Sequence, residues 1–267
     1  MCPKRRTKIR VGLKPIVKRT ELSPRIGGLH VRAIDLAAAC QKWVNKPVRT
    51  DNDSRAFESA CFRLMDVVDA VGAIEYMEGK IGRIVAKATP AARKYFRPTF
   101  VMSAEEQAAE GTKLFTIGLD AYYEFQNLLW WTRALEDRVS KSDFGLFLFL
   151  AAEDNTNVKA LWRAFRAIPS LKNIRALANY TLHSSALPPP IEQGFSFRDG
   201  RLLIRIPDSS TSEIRLGQQF TYTQGRDVLT VAREISKAAH VFGEGCVNVL
   251  EKSFERRRHT PFGRRRG

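Results

Sequence analysis

Arg175, Asn179 and His183 stand four residues apart, and Lys172 comes three before the first of them. A helix turns roughly 100° per residue, so this spacing puts all four on one side. That side carries two cations, an amide and an imidazole. The other side is apolar, with Leu171, Ile174, Leu177, Ala178, Thr181 and Leu182. An imidazole titrates at about pH 6.5 and can take or give a proton at neutral pH. Metal-free RNA cleavage needs a base for the 2′-OH proton, an acid for the leaving oxygen and a cation for the developing phosphorane charge. His183, Asn179 and Arg175 are therefore the candidate catalytic residues, with Lys172 as a nucleic-acid contact. A structural role is open for the same residues. Asn179 and His183 can close the helix end, where a His is favourable beside the last carbonyls.

The stretch from Ser170 to Pro190 reads as one helix. Pro169-Ser170 supplies the start, and Pro188, Pro189 and Pro190 forbid continuation. Asn179-Tyr180-Thr181-Leu182-His183, followed by Leu187-Pro188, resembles the signature helix of HEPN domains. That family's pattern is Arg, usually a polar residue, then a short gap to His, late in a helical bundle. Asn179 and His183 match it. The family's Arg position is Ala178, which the wheel places at the margin between the apolar and polar faces. The resemblance is specific over about Leu171 to Pro188 and architectural elsewhere. It implies an RNA-directed protein, as a metal-independent endoribonuclease of toxin or defence type. It also implies a homodimer in which two signature helices form one cleft, and an antitoxin or defence protein as partner. A methyl group at 178 cannot neutralise a phosphorane, and losing one such electrostatic group costs about 2.7–4 kcal/mol of barrier. Activity is then weakened or lost unless Arg175 substitutes. The alternative is a non-catalytic nucleic-acid-binding or scaffold protein.

Charge is distributed unevenly. The formal net charge is +16. Residues 1–26 carry nine Lys or Arg against Glu21, and residues 252–267 carry seven against Glu255, leaving +2 for residues 27–251. Cationic ends on a nearly neutral body are footprints for a polyanion, RNA first and DNA second. Arg5, Arg6, Arg264, Arg265 and Arg266 are the candidate contacts there. Solvated tails are the plain alternative. Within the body, Arg93, Lys94 and Arg97 flank Tyr95 and Phe96, a mixture that can stack on and neutralise RNA. Such aromatics can equally plug the end of a bundle.

Other classes find no support. The cysteines Cys2, Cys40, Cys61 and Cys246 form no CxxC pair and have no zinc-ligand His beside them, which fits a reduced, cytoplasmic protein. Asp51-Asn52-Asp53-Ser54 opens like a calcium loop, but Ala56 and Phe62 stand where Gly and Glu are needed. It reads better as a helix start. Glu58, Asp66, Asp69 and Glu75 lack an ExxH ligand pair. There is no Walker A loop, dinucleotide fingerprint or GxSxG, so neither a metal nor a cofactor is expected. The longest apolar run, Phe144 to Ala152, is too short to span a bilayer.

These residues need a scaffold, and periodicity supplies one. The expected fold is mainly α, a HEPN-like helical bundle with two long antiparallel helices and a small β-hairpin inserted before the last helix. A basic arm covers 1–26, the helical domain 27–254 and a basic tail 255–267. The first long helix is expected over 54–87, with a connection from Thr89-Pro90 to Pro98. The capping box Ser103-Ala104-Glu105-Glu106 opens the second, over 104–140. Its aromatics Phe115, Tyr122, Tyr123, Phe125, Trp130 and Trp131 are expected in the core. A short helix is expected within 26–47, and two more at 144–152 and 158–168 around a polar break at 153–157. Phe195 to Ile204 alternates around Asp199-Gly200, which predicts a type I′ hairpin pairing Phe197 with Leu202 and Phe195 with Ile204. A third strand is expected at 214–222. The last helix is expected over 226–254, weakened at Gly243 and Gly245.

Overall fold

The computed structural model describes residues 24–45, 51–96, 102–171, 178, 195–206 and 227–259. In chain order these residues form α1 (Pro24–Val44), α2 (Asn52–Tyr95), α3 (Ala104–Ser140), α4 (Ala152–Arg166), β1 (Phe195–Arg198), β2 (Arg201–Ile204) and α5 (Val228–His259). The architecture is the expected one: a mainly α bundle with two long antiparallel helices and a hairpin ahead of the last helix. α2 is the central member. α3 runs antiparallel along it, with Lys80 paired to Glu124 at 2.5 Å near one level and Tyr95 against Gly111 near another. α5 also runs antiparallel to α2, bringing His240 to Glu75, Arg233 to Glu78 and Leu229 to Gly82. α1 packs against both α2 and α5, and α4 lies on α5. Val67, Val71 and Ile74 of α2, Leu128 and Leu135 of α3, and Ile235 and Val247 of α5 are fully buried.

Both long helices start where the capping residues place them. The Asp51 carboxylate accepts the backbone N–H of Ser54 at 2.7 Å, and Ser103 and Glu106 complete the capping box reciprocally. The Ser54 N–H holds the Asp51 carboxyl below its ordinary range. A depressed carboxyl stabilises the fold fully above its unfolded pKa of about 4, and that contribution fades as pH falls through the folded value. Asp51→Ala is therefore expected to cost about 1 kcal/mol at pH 7. Urea unfolding of both proteins should show the difference shrinking towards pH 3. An equal difference at both pH values would remove the charged cap from the account.

Several elements run further than periodicity suggests. α2 continues through Pro90 to Tyr95, so the expected connection is helix up to that point. A mid-helix proline costs about 3 kcal/mol. The fully buried Ala88 and Ala92, and Tyr95 against α3, offset that cost by packing. α5 passes Gly243 and Gly245 without a break and ends at His259, so the first residues of the expected tail are helical. At Gly243 a Cβ would stand 3.1 Å from Val71 and 3.3 Å from Leu29, so the glycine lets three helices meet. α1 begins at Pro24, inside the expected arm.

Around α4 the expectation fails in detail. Residues 144–151 contain a 3-10 turn, Leu146–Leu148, and no α-helix. The supposed polar break is the first turn of α4, where Glu153 and Asp154 suit the positive helix end. Asp154 is buried because the Ser253 hydroxyl donates to it at 2.6 Å and Arg256 pairs with it at 3.1 Å. The aromatic stripe of α3 divides. Tyr122 and Phe125 are core, whereas Phe115, Tyr123 and Trp130 are exposed.

The hairpin has the expected register, Phe195 with Ile204 and Phe197 with Leu202. Asp199 and Gly200 take φ of 52° and 75°, as a type I′ turn requires. Leu202 and Ile204 are buried, and the Tyr122 hydroxyl donates to the Arg205 carbonyl. The expected third strand at 214–222 lies outside the described residues.

Candidate functional site

The signature stretch is entered through a 3-10 turn, Pro169–Leu171. Its Ser170 is fully buried, and the hydroxyl donates to the Glu234 carboxylate on α5. Ala178 is helical and fully buried within the hydrophobic core. That corrects its expected place at the margin of the wheel. Lys172, Arg175, Asn179 and His183 lie outside the described residues.

Beside the entry to this stretch is an apolar cavity of about 490 Å³ between α4 and α5. Leu161, Phe165, Ile168 and Phe242 line it, and Glu234 and Lys237 stand on its wall. Ser170 thus anchors the start of the stretch to a residue of this cavity.

Arg93 and Lys94 occupy the last turn of α2, where cations complement the negative end of the helix dipole. Arg93 is exposed and Lys94 is half-buried. Tyr95 lies against Gly111, and Phe96 meets Tyr95 edge-on at 5.1 Å while staying 36% exposed. Tyr95 thus packs on α3 while its neighbour Phe96 stays open. Arg97, Arg5, Arg6, Arg264, Arg265 and Arg266 lie outside the described residues. The last turn of α5 adds Arg256, Arg257, Arg258 and His259. Of these, Arg256 pairs with Glu153 and Asp154, and Arg257 covers the Phe57 ring at 4.6 Å.

Two imidazole–carboxylate pairs escaped the sequence reading. His240 Nδ1 lies 2.6 Å from Glu75, and His30 Nε2 lies 2.7 Å from Asp69. They join α5 and α1 to α2. Glu75 and Asp69 are visible in the sequence as acids on α2. Their partners are not, because they sit 165 and 39 residues away. Among the described residues no cluster of His, Cys, Asp and Glu could hold a metal ion. Burial pushes the Cys246 thiol up, which leaves it inert. No helix of the described residues is long and apolar enough to cross a membrane.

The fold is a helical bundle with a hairpin, built from a chain that is cationic at both termini. Comparison with protein-family models, with curated proteins and with solved structures finds no match for the chain.

Proposed function

We propose that this is an RNA-directed protein of HEPN-like type, gripping RNA through its cationic ends and cutting it slowly, without a metal, through His183, Asn179 and Arg175. The observation that carries this reading is the segregation of charge. Residues 27–251 carry a net charge of only +2, and the chain ends on either side carry +8 and +6. Such segments release counterions when they meet phosphates, and that release drives association. The wheel of residues 172–183 adds a proton donor or acceptor beside two cations. Slow turnover follows from Ala178, a methyl where the family pattern has a guanidinium.

The test uses a single-stranded RNA titrated against the full chain over a range of salt. Removing 1–23 and 260–267, which spares every described helix, is expected to flatten the salt dependence. Cleavage is expected to survive EDTA and to vanish in His183→Ala and Arg175→Ala. Failure of the full chain to bind RNA at low salt would sink the proposal. The burial of Ala178 favours one second reading, a protein that binds RNA without cutting it. Intact binding with no cleavage would select that reading.

A further inference from the structure

Cys40 on α1 and Cys61 on α2 are fully buried free thiols. They stand twenty-one residues apart in the chain. The packing of α1 on α2 brings them together. Leu29 of α1 and Val71 of α2 both close on Gly243. One position further along α1, the His30 imidazole meets Asp69 at 2.7 Å. Towards the other end, Trp43 and Phe57 both meet the Phe254 ring, at 6.0 and 6.3 Å. So α1 advances fourteen residues, from 29 to 43, while α2 steps back fourteen, from 71 to 57. The two helices run antiparallel in a constant register. Eleven residues on from Leu29 is Cys40, and eleven back from Val71 is Ala60, next to Cys61. Ala37, about one turn before Cys40, and Ala60 are buried too, and neither is large enough to hold the helices apart.

At this level the Cys61 thiol donates to the Cys40 sulfur. That hydrogen bond holds the Cys40 thiol below its ordinary range, against burial. The same bond, together with burial, pushes Cys61 up. The Arg257 guanidinium, which covers the Phe57 ring at 4.6 Å, favours a thiolate at Cys40, and Glu58 opposes it. One sulfur is thus the nucleophile and the other its proton donor. Cys246 is the contrast: it is equally buried, and burial alone shifts its thiol. A single buried cysteine packs as a small hydrophobe. Two that meet across a helix pair can also form a bond.

We propose that Cys40 and Cys61 are a redox-sensitive clamp, forming a disulfide that ties α1 to α2 when the chain meets hydrogen peroxide. The Cys40 thiolate attacks one peroxide oxygen, and the O–O bond breaks. That oxygen stays on sulfur as a sulfenic acid, while the other takes up protons and leaves as water. The Cys61 sulfur then attacks the Cys40 sulfur, gives up its proton and displaces the first oxygen as a second water. Two thiols are oxidised to one disulfide, and one peroxide is reduced to two waters. Burial sets the rate, because peroxide reaches the pair only when α1 opens locally. Once made, the bond closes the loop between the two helices and removes that opening.

The experiment treats the reduced full chain with hydrogen peroxide and blocks the remaining thiols with iodoacetamide. Mass spectrometry reads the cysteine peptides, and circular dichroism reads the thermal midpoint. A peptide pair joined through Cys40 and Cys61 is expected, with Cys246 still a thiol. The midpoint should rise by about 6–12 °C and return to its starting value on reduction with dithiothreitol. Cys40→Ser and Cys61→Ser should each show no rise. If either serine variant fails to fold, the linked peptide and the reversible midpoint of the wild-type chain decide alone. Cys40 and Cys61 still thiols after peroxide, or linked to other cysteines, overturns the inference. Oxidation of Cys246 at the same rate overturns it too, because the chain would then be opening as a whole. A linked pair with an unchanged midpoint also overturns it, since the bond would clamp nothing. RNA plays no part in these readouts, so the proposed function stands or falls separately.

Discussion

Ala178→Arg is expected to lower stability by more than about 3 kcal/mol, although it restores the residue of the family pattern. Ala178 has no exposed surface and is counted within the hydrophobic core. A guanidinium there loses its hydration without a partner, and an uncompensated buried charge costs about 3–5 kcal/mol. The added volume costs about 1–3 kcal/mol more where a packed core must shift. Whole domains have only about 5–15 kcal/mol of stability, so much of it would go. Urea unfolding of both proteins measures the effect directly. A variant as stable as wild type and faster on RNA would show that the new side chain escapes to the polar face. The burial argument would then fail, and slow turnover would be a one-residue deficit. The expected result instead ties the missing Arg to packing.

Gly118 should show the next largest effect, and with a change of sign. It lies within α3, where glycine is about 1 kcal/mol worse than alanine. The Phe195 ring of β1 occupies the space that a Cβ at 118 would need. The glycine is thus the seat that docks the hairpin on the bundle. Gly118→Leu is expected to destabilise the protein by about 1–3 kcal/mol, as overpacking does. In a Phe195→Ala background the same substitution should become stabilising, because the seat is vacant and leucine favours the helix. A double-mutant cycle reads the coupling, expected at about 1–3 kcal/mol. Additive effects would mean that ring and glycine do not compete for one space. The hairpin would then be held chiefly by Leu202, Ile204 and the Tyr122 hydroxyl.

Much of the scaffold was legible because its signals are local. Asp51 and Ser103 mark helix starts through groups three residues away. Asp199-Gly200 specifies a turn, and that turn with its alternating flanks specifies a register. The capping box at Ser103 placed the second long helix at roughly 104–140, where α3 runs. Wherever tertiary burial competes with a local rule, the local rule misleads. Pro90 reads as a stop, yet Ala88 and Ala92 are buried around it and α2 continues. Gly243 reads as a weakness, yet Val71 of α2 and Leu29 of α1 close on α5 there. Glu153 and Asp154 read as a break, yet Ser253 and Arg256 complete a helix start there.

The same division runs through the candidate site. Residue type and spacing alone predict one face for Lys172, Arg175, Asn179 and His183, and they gather the net charge at the chain ends. Only the tertiary structure decided which side of α2 is covered. Only it joined His240 to Glu75 and His30 to Asp69, and only it buried Ala178. The physical reason is that a helix dictates directions around its own axis, whereas burial and pairing depend on which other helix lies against it. That choice is made by the summed packing of residues far apart in the chain.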